Sequence, residues 1–318
     1  MPAQPDLERV GDAIRDVAVR VILPRFGALA DGDVHEKGPH DPVTVADQEA
    51  EQELSRFLRA TWPGDAVIGE EAVAADPDVV SVVAGLDRVW VIDPIDGTSN
   101  FVAGSEDFAV MVALVEHGRT TAAWIYQPVP GRMYAAVRGG GAWLDGRPIE
   151  RPPSPGAHDE LHGIVKVRYV ASELRERLLA RAAQLGTPAH DPLASGVQYP
   201  LLAEGWTDYV LFWRTLVWDH APGVLLLEEA GGRASRLDGS RYEPWRGGAG
   251  LLVARGPRGP RPRPQRPRTR WHGVGPGTVD GSSEPACLAP RPGGPGPPSD
   301  PALTDAIGCG GAPGLNRS

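Results

Sequence analysis

Residues 89–101 read Val89-Trp90-Val91-Ile92-Asp93-Pro94-Ile95-Asp96-Gly97-Thr98-Ser99-Asn100-Phe101. The β-branched and aromatic run from Val89 to Ile92 predicts a buried strand, and Asp93-Pro94-Ile95-Asp96-Gly97-Thr98 predicts an abrupt turn at its end. Two carboxylates three positions apart can there face one small space. Gly97 allows a ligand to approach the backbone closely, and the amides after it open toward a helix start. A hard cation and a phosphate suit this arrangement together. An Asx-turn that only caps the helix suits it too, so the rest of the chain has to decide.

Working outward toward the N-terminus, residues 65–68 predict a short strand running into Gly69-Glu70-Glu71, a second strand end that carries acids. If the two strands are parallel or neighbours, their ends meet. Thr44 and Asp47 form a Thr-x-x-Asp helix start, with Ala50, Leu54 and Phe57 on one face, and the stretch from Lys37 to Val43 before it reads as a loop. Leu7, Val10, Ile14, Val17 and Val21 recur at three- and four-residue spacing, an amphipathic helix that Pro24 kinks or ends.

Toward the C-terminus, 108–116 and 120–127 are apolar runs joined by His117-Gly118-Arg119, the pattern of an antiparallel hairpin, and 133–137 and 142–144 continue the strands. Beyond Pro155 the pattern alternates: strand 163–167, helix 172–185, helix near 198–204, strand 209–212, helix from about 220 to 230, and strand 251–254. The expected fold class is therefore α/β (α+β), a mixed, largely antiparallel first sheet in residues 1–150 followed by a smaller α/β part in about 155–255.

Composition narrows the function classes. Of the 318 residues 41% are hydrophobic, and eight of the nine tryptophans precede residue 256, enough for a sizeable core. The net charge of −9 is uneven: residues 256–318 hold 8 Arg against 4 acidic residues, so the first 255 carry −13. An acidic body argues against non-specific nucleic-acid binding. The chain opens Met-Pro-Ala-Gln-Pro-Asp with no basic, apolar leader, and no apolar run approaches the roughly 20 residues that span a bilayer. A cytoplasmic protein without a membrane partner is expected. Cys287 and Cys309 both fall in the tail, so the folded part is expected to hold neither a disulfide nor a thiol nucleophile. That tail also contains 14 of the 33 prolines and 13 of the 40 glycines, and shows no helical or strand period. Residues 256–318 are expected to be a disordered extension beyond a boundary near Arg255.

One further acidic stretch remains. In Trp218-Asp219-His220-Ala221-Pro222-Gly223, Asp219 suits an N-cap and Pro222 the first turn, and Gly231-Gly232 stop the helix. His220 is expected to pack or hydrogen-bond, since Mg²⁺ prefers oxygen ligands. In their order and separation, Gly-Glu-Glu, Asp-Pro-Ile-Asp-Gly-Thr-x-Asn-Phe, Trp-Asp-x-Ala-x-Gly and Glu-Ala-Gly-Gly resemble the inositol monophosphatase family of Mg²⁺-dependent, lithium-sensitive phosphatases, over roughly residues 7–255.

The resemblance implies a layered sandwich of the sugar-phosphatase type and a set of roles. Glu70, Asp93 and the Ile95 carbonyl match ligands of one metal ion; Asp93, Asp96 and Asp219 match those of a second, with Asp93 bridging and Glu70 reaching a third, weaker ion. Asp96, Gly97 and Thr98 match the substrate-binding turn, where the amides of Gly97 and Thr98 hold the phosphate. Thr98 and Asp47 match the pair that orients the attacking water, so Asp47, Thr98 and Glu70 are the catalytic candidates. Oxygen-only ligands select Mg²⁺, or Mn²⁺, over Zn²⁺. The implied reaction is hydrolysis of a small phosphorylated metabolite, an inositol monophosphate-like ester, by a metal-activated water. The resemblance also allows a homodimer. A non-catalytic metal- and phosphate-binding protein of the same fold is the alternative from another class.

Two departures bear on specificity and stability. The family's hydroxyl-binding acid lies seven positions before the Trp-Asp aspartate; here that position is Phe212, followed by Trp213 and Arg214. These aromatics either end a core strand or meet an apolar or stackable substrate. Lys166 and Arg168 alternate with Val165 and Val167 and are either solvated or placed to meet a second phosphate or carboxylate. Histidinol phosphate, fructose bisphosphate and adenosine bisphosphate thus stand beside inositol phosphate as substrates. The second departure is the Pro-rich sequence that replaces the family's closing helix after strand 251–254, expected to leave one flank less covered; a change of reading frame or a late extension accounts for it.

Overall fold

In the computed structural model of the chain, the described residues are 6–38, 41–149, 161–167, 170–186, 193–248 and 250–255. They belong to the unit Met1–Trp271. Arg168 and the Pro/Gly/Arg-rich tail, with the expectations attached to them, lie outside the described residues.

The N-terminal helix α1 (Leu7–Val17) is capped by Asp6, passes into a π-helical turn at Ala18–Ile22, and ends in a 3-10 turn at Leu23–Arg25 that contains Pro24. A hairpin of β1 (Val34–Gly38) and β2 (Asp41–Thr44) replaces the expected loop. Helix α2 (Val45–Thr61) follows with both halves of the capping box formed by Thr44 and Asp47. Next come β3 (Ala66–Gly69), the short helices α3 (Glu70–Ala75) and α4 (Val79–Val83), β4 (Arg88–Asp96) and α5 (Thr98–Val102). Strands β5 (Ala109–Glu116), β6 (Arg119–Gln127), β7 (Arg132–Val137), β8 (Gly141–Leu144) and β9 (Arg147–Pro148) complete a seven-stranded sheet in sequential order from β3 to β9. Only β3 and β4 are parallel in it; the other pairs are antiparallel.

The second part contains β10 (Gly163–Lys166), α6 (Ser172–Ala182), α7 (Ser195–Ala203), β11 (Tyr209–Phe212), α8 (Val217–Glu229), β12 (Arg233–Arg236) and β13 (Leu251–Ala254). Its four strands lie in the order β10-β11-β13-β12, with β10 and β11 parallel.

Three apolar layers join these pieces. On one face of the large sheet, Val10, Ile14 and Leu54 of α1 and α2 bury Trp90, Val112 and Trp124. On the other face, α7 and α8 lie between the two sheets: Met111 and Ile125 of the large sheet share a core with Tyr199, Leu225 and Leu226 and with Val210, Phe212 and Leu251 of the small one. The outer face of the small sheet is covered by Leu174, Leu178 and Leu179 of α6, over Val165, Val167 and Leu211. The result is a helix–sheet–helix–sheet–helix sandwich, in agreement with the expected class. Leu252 pairs with Leu211 across β13 and β11 and so shares that outer face, where it is 40% exposed.

Three local expectations are corrected. The strand through Val89 does not stop at Ile92; β4 continues to Asp96. Helix α8 begins at Val217 behind Leu216, so Asp219 sits in its first turn and is not the N-cap, and Pro222 lies inside the helix. Helices α6 and α7 each end before the expected residue, at Ala182 and Ala203.

Candidate active site

The register of the large sheet brings the acids together. In the parallel pair Gly69 lies opposite Ile92, so Glu70 and Asp93 leave their strands side by side. Along β4, Asp93 pairs with Met111 and Asp96 with Ala109, three steps against two. Residues three apart on a regular strand point to opposite faces; the extra residue in Pro94-Ile95 returns Asp96 to the side of Asp93. Proline is tolerated at such a bulge because no ladder hydrogen bond is asked of it. Asp219 arrives from α8, which crosses that same face.

Oxygen atoms of Glu70, Asp93 and Asp219 can all lie within 4.8 Å of one another. Asp96 stands beside this triad and accepts a short hydrogen bond from the Gly196 amide at the start of α7. Gly97 has φ +91°, and a Cβ there would sit 2.8 Å from the Ala194 Cβ, so both conformation and space demand glycine. Glycine at this point starts α5, whose first amides have no partner within the helix.

A polar chain stands behind the triad. Asp47 Oδ2 accepts from the Thr44 amide (2.8 Å) and hydroxyl (2.5 Å), and Asp47 Oδ1 accepts from the Thr98 hydroxyl at 3.1 Å. The same Thr98 hydroxyl lies 3.0 Å from the Ile95 carbonyl, and its single proton serves one acceptor at a time. Thus Ile95, Asp96, Gly97, Thr98, Glu70, Asp93 and Asp219 line one cavity, and Asp47, 1% exposed, reaches it through Thr98.

Burial and crowding of like charge raise these carboxyls. Asp93 and Asp219 are held well above the ordinary carboxylate range, first by burial and then by Glu70 and Asp96, with Asp219 adding to the rise at Asp93. Burial lifts Asp96 to about 6 against the Gly196 amide, and lifts Asp47 to about 6 against its hydrogen bonds. Asp93 Oδ1 is buried without a hydrogen-bond partner among the described residues. Concentrated acid, an orphaned carboxylate oxygen and an all-oxygen donor set fit a hard divalent cation. His220 does not contribute. Its Nε2–H donates to the Arg214 carbonyl (2.9 Å), which leaves Nδ1 to accept from the Tyr199 hydroxyl (2.9 Å). Burial depresses its pKa to about 4, the value of a neutral structural histidine.

Two residues to which the sequence reading gave no role at the site arrange the glutamates. Lys37, from β1, bridges Glu70 (2.7 Å) and Glu71 (2.9 Å). Glu51, one turn beyond Asp47 on α2, accepts the amides of Glu71 (2.8 Å) and Ala72 (3.0 Å) and so caps α3 from outside. A Cβ at Gly69 would overlap the Glu51 carboxylate, so a larger residue before Glu70 would displace Glu51 from the Glu71 and Ala72 amides. Glu51 lies at the i+4 position from Asp47, and that shared helix face was the available signal. Glu229 of the Glu-Ala-Gly-Gly motif lies away from the cavity and accepts the amides of Gly139 (2.8 Å) and Gly141 (3.0 Å), a structural anchor for the β7–β8 turn.

The acids open into a cavity of about 1060 Å³, whose facing wall includes Lys166, Arg175, Leu179, Phe212, Trp213 and Arg214. Phe212 is both wall and core: it is 3% exposed and stacks on Tyr199 with ring centroids 5.3 Å apart.

A layered sandwich with converging acids beside a glycine-led helix start fits the requirements of a metal-dependent phosphatase. The sequence matches the profile of the inositol monophosphatase family over residues 6–261. The chain belongs to that family, whose members are metal-dependent hydrolases of small phosphate esters. It is 35% identical over 233 residues to the histidinol-phosphatase of Mycobacterium tuberculosis, covering 71% of this chain and 86% of that one. It is 32% identical over 240 residues to an inositol-1-monophosphatase of Mesorhizobium japonicum, covering 70% and 83%. The solved structure of the Thermotoga maritima IMPase superimposes with a TM-score of 0.66 at 25% identity, covering 79% of this chain and 92% of that one. No helix among the described residues is long and apolar enough to cross a membrane.

Proposed function

We propose that this chain is a Mg²⁺-dependent phosphatase, with Mn²⁺ as a competent substitute, that hydrolyses a small phosphate monoester by attack of an activated water. The observation that carries the reading is the convergence of Glu70, Asp93 and Asp219 within 4.8 Å, beside an orphaned Asp93 oxygen. Glu70, Asp93, the Ile95 carbonyl, Asp96 and Asp219 would hold two or three cations. Bound there, divalent ions neutralise the phosphoryl oxygens, acidify the attacking water and stabilise the leaving alkoxide.

The protein's own groups supply orientation and proton handling. Thr98 lines the cavity, and donating its proton to Asp47 leaves its oxygen lone pairs to accept from a water. With a pKa of about 6, Asp47 is mainly a carboxylate at neutral pH and basic enough to take up that proton through Thr98. The Gly97 and Thr98 amides at the start of α5 position the phosphate. Inositol monophosphate is the reference substrate on family grounds; histidinol phosphate, fructose bisphosphate and adenosine bisphosphate are the alternatives that the wall around Phe212 keeps open. We assign the activity to residues 1–255, in the cytoplasm, with residues 256–318 as a dispensable extension and a homodimer as the assembly.

The test is phosphate release from those four esters, with and without Mg²⁺ and with added Li⁺. Mg²⁺-dependent, Li⁺-inhibited release from one of them is expected. Folded protein that releases none would leave a non-catalytic binding protein in its place.

A further inference from the structure

Helix α7 opens on Ser195-Gly196 and carries Pro200 inside it. An α-helical carbonyl is met by the amide four residues on, and proline has none, so the Gly196 carbonyl lacks its α-helical donor. Its amide, in the first turn, has no acceptor within the helix either. Both groups are buried, where an unmet hydrogen bond is most costly.

The end of the large sheet supplies both partners. Asp96 lies opposite Ala109 across β4 and β5, and Val110 lies opposite Tyr126 across β5 and β6, which puts Gln127, one step on, level with Ala109. Residues opposite each other on antiparallel strands share a face, so Asp96, Ala109 and Gln127 form a row beneath α7. Two strand spacings, about 10 Å, separate the outer two. Gly196 spans that gap: its amide donates to Asp96 Oδ2 at 2.5 Å, and its carbonyl accepts from Gln127 Nε2 at 3.1 Å. The approach of helix to sheet uses a bare backbone. A Cβ on Gly196 would lie 2.6 Å from the Ala109 Cβ and 3.2 Å from both Asp96 Oδ2 and Met111 Sδ. Ala194, two residues earlier, fills the space beside Gly97, the glycine that starts α5.

Gln127 is buried and lies outside the cavity lining, yet it is one backbone residue away from an acid of the site. The Gly196 amide fixes one oxygen of Asp96 and with it the direction of the other. Burial raises the Asp96 pKa, and that amide is the strongest influence against the rise. Groups one step removed from a cation set the orientation of its ligands and its affinity.

We propose that Gln127 is a positioning residue for the acidic centre: by tying the Gly196 backbone to β6 it aims the Asp96 carboxylate and holds the start of α7 against Gly97. The proposal rests on the phosphatase reading above, in which Asp96 is a cation ligand.

Gln127→Met keeps the length of the side chain and removes its donor. Mn²⁺, titrated calorimetrically into the full-length protein with no ester present, is expected to bind this variant about tenfold or more weakly than wild type. The Mg²⁺ concentration for half-maximal phosphate release is expected to rise with it. Tyr134→Phe, which loses the hydroxyl bond to Glu204 on the adjacent strand β7, controls for stability alone: Tm is expected to fall and Mn²⁺ affinity to hold. Pro200→Ala added to Gln127→Met gives the Gly196 carbonyl a helix donor but no tie to β6, and serves where the single variant is too unstable to titrate. The double variant is expected to recover Tm and still bind Mn²⁺ weakly. Wild-type Mn²⁺ affinity in Gln127→Met or in the double variant, or an equal loss of affinity in Tyr134→Phe, would overturn the positioning role and leave the phosphatase reading intact. Neither Mn²⁺ binding nor phosphate release by folded wild-type protein would overturn both.

Discussion

The acidic end of the cavity and its cationic wall are built by different means. At the acidic end the backbone does the placing: parallel strand ends in register, a bulge that turns Asp96 back beside Asp93, a glycine at φ +91°, and a helix start fixed by the Thr44–Asp47 capping box. The wall is made of side chains on β10, α6, β11 and the residues just after β11, three of which, Phe212, Leu179 and Trp213, also pack in the apolar cores. Backbone devices hold reacting groups to fractions of an ångström, while wall side chains can be exchanged without moving the strands beneath them. The division predicts that chemistry and metal response fail together at one end, and that discrimination between esters fails at the other.

The largest effect is expected at the centre of the acidic end. Asp93→Asn removes a carboxylate that would hold the proposed cations and is expected to lower kcat by about a thousandfold or more, roughly 4 kcal/mol. Circular dichroism is expected to stay native, because the change also relieves a buried like-charge cluster. Full turnover in this variant would refute the assignment of the centre.

Phe212→Ala sharpens the comparison from the other side. Stacked on Tyr199 and edge-on to His220, Phe212 is core as well as wall, and its truncation is expected to cost about 3–4 kcal/mol of stability in a denaturant titration. If Phe212→Ala instead left stability intact and altered only substrate preference, the ring would be wall alone.

Metal addition comes next in size. The wild-type chain, freed of metal by a chelator, is expected to gain about 2.7 kcal/mol when Mg²⁺ is restored to 100 times its dissociation constant. By calorimetry this appears as a rise in Tm of roughly 5–10 °C for a unit of this size. Asp93→Asn is expected to abolish most of that rise, and Arg175→Gln to preserve it. A loss of the rise in both would erase the distinction between the two ends.

The smallest effect concerns the support of the acids. Glu51→Gln weakens the carboxylate that accepts the Glu71 and Ala72 amides and is expected to cost about 1–2 kcal/mol of stability. Because those amides orient Glu70, the Mg²⁺ concentration for half-maximal activity is expected to rise while substrate discrimination stays put. An unchanged Mg²⁺ requirement would make Glu51 a cap and nothing more.

The sequence by itself determined the strands, the hairpin across His117-Gly118, the capping box at Thr44 and Asp47, and the acids of the site. Each is encoded locally, by side-chain alternation, turn residues or a motif of fixed spacing, so no distant contact is needed to read it. His220 was legible as a structural histidine for the same reason: its chemistry ill suits a hard cation. Only the tertiary structure decided that β4 runs through a bulge to Asp96, that α8 starts at Val217 instead of at an Asp219 cap, that Glu51 and Lys37 brace the two glutamates, and that Arg175 turns toward the cavity. These depend on partners 13 to 100 residues away, the sheet register for Asp93 and Asp96, the Glu71 amide for Glu51, and the Gly196 amide for Asp96. A one-dimensional pattern records which groups a chain owns; which of them meet is set by the packing of sheet on helix on sheet.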